Sequence, residues 1–123
     1  MNIVDMHCDT ISELYKRKKE GAPGSLRENG LHMDLGKMKK GGYLLQNFAL
    51  FLHLPSFDNP LDGVLEMADL YYEELEKNAD LIRPVTCWED IESNRSEGRM
   101  SAMLTVEEGG VCMGNPAFLR TLY

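Results

Sequence analysis

Two short segments carry the residue types that do chemistry. The first is His7-Cys8-Asp9, directly after the apolar pair Ile3-Val4. In an extended strand the side chains at i and i+2 point the same way. His7 and Asp9 are therefore expected to aim an imidazole and a carboxylate at one point, a donor pair suited to a divalent cation. Cys8 is expected on the opposite side, packed under a helix. A His two residues from an Asp also recurs by chance. Its position at the C-terminal end of a first strand strengthens the metal reading, because sites in β/α folds gather at that edge. The second segment is Val106-Glu107-Glu108-Gly109-Gly110, at the end of another apolar run. Two carboxylates followed by two glycines place charge at a strand end with room for a ligand, although a solvent-exposed turn has the same composition.

The remaining candidates read as structural. His32 lies in a polar loop segment. His53 follows a strand at the same presumed edge and could approach a substrate, yet a structural role is favoured. The eight Met residues read as core filler. Cys8, Cys87 and Cys112 are an odd count without metal-type spacing. They do not read as a disulfide framework, and a reducing cytoplasm is the expected location.

The elements that must position these groups follow from the punctuation. Asn2 to Met6 reads as a short strand. A helix with Ile11, Leu14 and Tyr15 on one face follows, ended by the Gly/Pro segment Glu20 to Ser25. A turn of helix is expected within His32 to Lys40, stopped by Gly41-Gly42. Tyr43 to Leu54 is nearly continuous in apolar residues, as suits a strand buried on both faces of a parallel sheet. Asn59 as N-cap and Pro60 at the first position open a long helix, with Leu61, Val64, Leu65, Ala68, Tyr72, Leu75 and Ala79 expected on its buried face. A capping box of Thr86 and Glu89 opens a shorter helix that stops near Gly98. Met100 to Val106 reads as a third strand. Asn115-Pro116 then starts a helix carrying Phe118, Leu119 and Leu122, and the chain stops inside it. Strand-helix alternation of this kind signals β/α units on a parallel sheet.

Composition excludes some classes. The chain has 123 residues, 43% hydrophobic and 27% charged, enough for one modest core. A net charge of −7 argues against a nucleic-acid partner, since phosphate binding needs a basic face. The basic run Lys16 to Lys19 reads as a solvated helix end. No stretch approaches the roughly 20 apolar residues of a bilayer span, and Asp5, His7 and Asp9 stand where a signal peptide would need an apolar region.

Taken together, these segments resemble the membrane (renal) dipeptidase family. Asp5-Met6-His7-Cys8-Asp9-Thr10 is similar to that family's opening His-x-Asp strand. Lys40-Gly41-Gly42 with Gln46 and Phe48 is similar to the start of its second strand. Ala102 to Glu107 is similar to the strand carrying its metal-bridging glutamate, and Leu119 to Tyr123 to the helix that follows. The resemblance implies a (β/α)8 barrel holding two zinc ions, of which this chain supplies the N-terminal part, about three β/α units over residues 1–123. It implies His7 and Asp9 as ligands of one zinc and Glu107 as the bridge to the second. Glu107 is preferred to Glu108 because its spacing to Leu119-Arg120 matches the family without a gap. The doubled glutamate is a departure, since the family pattern has Gly directly after the ligand. The implied reaction is hydrolysis of dipeptides by a zinc-activated water, with the remaining ligands and the proton-transfer and substrate-binding groups on later strands. The expectations are a cytoplasmic dipeptidase, homo-oligomeric and bound to neither membrane nor nucleic acid, of which this piece alone is inactive. The alternatives are a non-catalytic binding or assembly remnant and another metal-dependent amidohydrolase.

Overall fold

The most apolar segment of the chain forms the centre of the sheet. In the computed structural model, which describes residues 2–123, strand β2 (Tyr43–Leu50) is buried over its last six residues. It lies between β1 (Ile3–Cys8) and β4 (Met100–Val106), and all pairings are parallel. The β2–β4 ladder runs unbroken from Leu45 opposite Ser101 to Leu50 opposite Val106. The β1–β2 ladder is irregular, shifting between Ile3 and Val4 and again between Asp5 and Cys8. A sheet buried on both faces requires such an apolar middle strand, because its side chains meet protein above and below. Leu52 is buried beyond the strand's end, whereas Phe51 and His53 are exposed, so the apolar run is longer than the strand it encodes.

The sheet order is β1-β2-β4-β3, with the three-residue strand β3 (Ile82–Pro84) alongside only the first half of β4. Neither its length nor its composition announces it, since Arg83 and Pro84 are exposed. Its ladder is extended by the Val85 N–H donating to the Ala102 carbonyl at 2.9 Å. Three strand-helix units carry the fold: β1 with α1 (Thr10–Lys19), β2 with α3 (Pro60–Lys77), and β4 with α5 (Pro116–Leu122). Helices α2 (Leu35–Gly41) and α4 (Trp88–Ser96) are additions to them. The expected α/β class with a parallel sheet is what the chain adopts, an arrangement consistent with part of a (β/α)8 barrel.

Local chemistry explains most boundaries. Asn59 accepts from the Leu61 N–H at 3.2 Å and Pro60 opens α3, as the sequence implies. The buried stripe of α3 is Val64, Met67, Leu70, Tyr71 and Leu75, so the expected Leu65 and Tyr72 face solvent instead. Gly63 sets this rotation: a Cβ there would lie 2.6 Å from both Leu52 and Phe57, so the helix is seated glycine-first against the loop after β2. Ala79 falls beyond the helix end. The capping box of α4 stands one residue later than expected. Cys87 is its N-cap, and Asp90 accepts from the backbone N–H groups of Thr86 at 2.8 Å and Cys87 at 3.3 Å. The basic run Lys16 to Lys19 ends α1, where it complements the helix dipole, and Lys18 and Lys19 reach Glu73 and Glu66 of α3 at 3.6 and 2.7 Å.

Two buried polar groups matter here, one joining layers and one capping a helix. The Tyr71 hydroxyl donates to the Ala102 carbonyl at 3.0 Å while its ring meets Phe48 edge-on, fastening α3 to β2 and β4. Asp34, 3% exposed, caps α2 by accepting from the Lys37 N–H at 2.8 Å and also pairs with the Lys37 ammonium at 2.6 Å. Burial pushes its pKa up, but the bonds from Lys37 and the Asn29 N–H outweigh that and hold it below the usual carboxylate range.

Asp34→Ala is expected to cost about 1–2 kcal/mol in urea unfolding, the usual cost of a lost N-cap. Because folding lowers the Asp34 pKa, its contribution is present above the unfolded value near ~3.9 and is lost as pH falls through the folded value. The stability gap between wild type and variant must therefore close in acid. Tyr71→Phe is expected to cost about 1 kcal/mol, the net worth of one hydrogen bond, read from the same transitions.

Candidate metal centre

The C-terminal ends of β1 and β4 bring three side chains together. His7 is the penultimate residue of β1, and Glu107 directly follows β4. The Glu107 N–H donates to the Leu50 carbonyl at 3.0 Å, so the ladder with β2 extends to the glutamate itself. His7 Nε2 lies 3.4 Å from Asp9 Oδ1 and 3.8 Å from Glu107 Oε2. One ligand atom of each of the three falls within 4.8 Å of the other two.

Asp9 arrives there by a different route from the one strand alternation suggests. Strand β1 ends at Cys8, and Asp9 is the N-cap of α1 with φ −94° and ψ 14°. An aspartate at an N-cap ordinarily accepts from a backbone N–H of the first turn. The Asp9 side chain makes no such bond, and its carboxylate faces the His7 imidazole instead. The adjacent carboxylates are also told apart. Glu108 accepts from the Gly110 N–H at 2.8 Å and caps the single helical turn Gly109–Cys112, while Glu107 faces the cluster.

The residues read as structural are not members of this group. His53 Nδ1 meets Ser56 Oγ at 3.0 Å on an exposed turn. His32 is exposed in the loop before α2. Cys8 is buried, and burial above all raises its thiol pKa, so it stays a protonated core residue. All three cysteines are free.

Sequence reasoning missed the polar groups beneath the site. Gln46 and Asn47 interrupt the apolar run of β2 and are buried at 0% and 6% exposure. The Asn47 amide donates to the Met6 carbonyl at 2.9 Å and accepts from the Thr105 hydroxyl at 3.1 Å. The Asp5 carboxylate accepts from the His7 N–H at 3.1 Å. Two adjacent amides inside an otherwise apolar strand were the available signal.

One imidazole and two carboxylates form a nitrogen-and-oxygen donor set of the kind zinc and harder divalent cations take. Among the described residues, neither Asp9 nor Glu107 is paired with a lysine or arginine. Two such carboxylates repel each other without a cation, so the donor chemistry fits one. A hollow lined by Asp9, Ser12, Glu13, Phe51 and Glu107 adjoins the cluster.

The comparisons with known proteins agree with this chemistry. A family model described as membrane dipeptidase, peptidase family M19, matches residues 1–123. A crystal structure of a dipeptidase, described as a metallopeptidase of the same family, superposes with a TM-score of 0.78 at 20% identity. It covers 99% of this chain and 40% of its own, so this chain spans less than half the length of that relative. At that identity the superposition speaks for the fold. No curated protein gives a match.

Glu107→Gln is expected to weaken zinc binding by calorimetric titration at least about tenfold, the lower end of what even an outer-sphere change costs. Glu108→Gln leaves the affinity unchanged, and the reverse pattern would move the site to Glu108.

Proposed function

The chain belongs to the membrane dipeptidase family of metallopeptidases, and on that footing we propose that it is the N-terminal part of a zinc dipeptidase built on a (β/α)8 barrel. The observation that supports this most directly is the convergence of His7, Asp9 and Glu107 at the C-terminal strand edge, where sites in such barrels lie. His7 and Asp9 would hold one zinc, and Glu107, with two oxygens to offer, would be shared with a second ion whose other ligands come from later strands. Bound zinc supplies Lewis-acid chemistry, polarising a carbonyl and acidifying water toward neutral pH.

The remaining roles belong to the chain's own residues. His7 offers Nε2 as a neutral imidazole. Ser12 holds the wall of the hollow in place: its hydroxyl donates to the Ala49 carbonyl at 3.3 Å and accepts from the Phe51 N–H at 3.1 Å. Phe51 then presents an apolar surface beside two carboxylates, a wall that limits water next to a bound peptide. The substrate is a dipeptide, the protein works in the cytoplasm, and it assembles as a homo-oligomer. Residues 1–123 alone are inactive, because three ligands do not hold two ions.

A second reading, a non-catalytic assembly module, draws on β1. Its outer edge has no partner strand among the described residues, and Val4 and Met6 are 53% and 58% exposed. Such an edge drives association. It predicts a stable oligomer indifferent to zinc.

The product of the reading frame continued past the Tyr123 codon, loaded with zinc, is expected to hydrolyse Gly-D-Ala. Chelation or His7→Ala should bring it to baseline, and residues 1–123 alone should release no product. An oligomer that ignores zinc and leaves every dipeptide intact would contradict the dipeptidase reading and favour the assembly module.

A further inference from the structure

Resting on that metal reading, we infer that Asn47 is a positioning residue, a side-chain clamp that holds the His7 strand and the Glu107 strand at the separation one cation requires. The need for it arises in β1. The β1–β2 ladder shifts between Asp5 and Cys8, so regular strand pairing does not place Met6 and His7. Irregularities of this kind re-aim side chains near functional sites, but they leave backbone groups in want of partners. The Asn47 amide takes the Met6 carbonyl at 2.9 Å, one residue before His7.

The other end of the same carboxamide meets β4. Its oxygen accepts from the Thr105 hydroxyl at 3.1 Å, two residues before Glu107 and so on the same face of that strand. Only β2 lies between the two ligand-bearing strands, so only a β2 side chain can join both from within the sheet. A carbonyl only accepts hydrogen bonds, so the Met6 contact fixes the amide nitrogen toward β1 and leaves the oxygen for Thr105. At 6% exposure Asn47 has little water to compete for these bonds, and both ends are satisfied. An aliphatic residue would suit the apolar surroundings of β2 equally well as packing. It would lose both tethers, and with them the fixed distance from His7 to Glu107.

The test uses the full 123-residue chain with zinc calorimetry, the visible spectrum of the Co(II) form and the thermal midpoint. Asn47→Leu is expected to weaken zinc binding about 10- to 100-fold, the range for groups that orient ligands. It should also alter the Co(II) bands, at temperatures well below the midpoint of either protein. Thr105→Val keeps shape and the Met6 bond, and is expected to lose a smaller part of the affinity. If Asn47→Leu does not fold, Thr105→Val decides alone by the same criteria. Wild-type zinc affinity and Co(II) bands in the folded variants, with binding lost in His7→Ala, would overturn the clamp and leave the metal centre standing. Wild-type binding no tighter than that of His7→Ala would overturn both.

Discussion

The six-residue parallel register between Leu45–Leu50 and Ser101–Val106 decides where the chemistry can be. Parallel strands all point their C-terminal ends to one edge, and this ladder, unlike the one between β1 and β2, carries no shift. The last bond of that ladder, from the Glu107 N–H to the Leu50 carbonyl, delivers the glutamate to the edge beside His7. A shift of one residue would turn Glu107 to the other face of the sheet and carry Thr105 away from Asn47. The register is held from outside the site, by Tyr71 reaching the Ala102 carbonyl and meeting Phe48 edge-on.

Stability and chemistry are thereby divided between layers. The apolar side chains of α1, α3 and the sheet supply the burial that drives folding. The cluster gives little back: Asp9 and Glu107 are like charges at close range, and Asp9 forgoes the capping bond it could make to α1. A fold that keeps such an arrangement carries a cost that a bound cation would remove. The two intermediate groups, Asn47 and Asp5, stand at the junction. Both bond β1 backbone, and Asn47 reaches Thr105 of β4 as well.

Much of this was legible in the sequence where local chemistry is self-sufficient. The apolar stretch Met100–Val106 gave its strand without error, and Asn59-Pro60 marked the start of α3, because a cap and a proline act within one turn. His7, Asp9 and Glu107 were legible as donors from type and position. What was not legible depended on distant partners. The rotation that exposes Leu65 and Tyr72 follows from Gly63 seating against Leu52 and Phe57. Strand β3 exists only because β4 offers it an edge. Cys87 displaced Thr86 as the cap because Asp90, not Glu89, reaches back. Asp9 meets His7 by a route other than alternation, which ends at Cys8: the turn into α1 brings the carboxylate round.

The central claim is that folding alone assembles His7, Asp9 and Glu107 into one cation site. X-ray absorption at the zinc edge of the loaded chain addresses it without recourse to activity. The account predicts a first shell of nitrogen and oxygen at about 2.0–2.2 Å with imidazole scattering from a single histidine. A sulfur shell near about 2.3 Å, drawn from Cys8, Cys87 or Cys112, or a shell without imidazole, would contradict it.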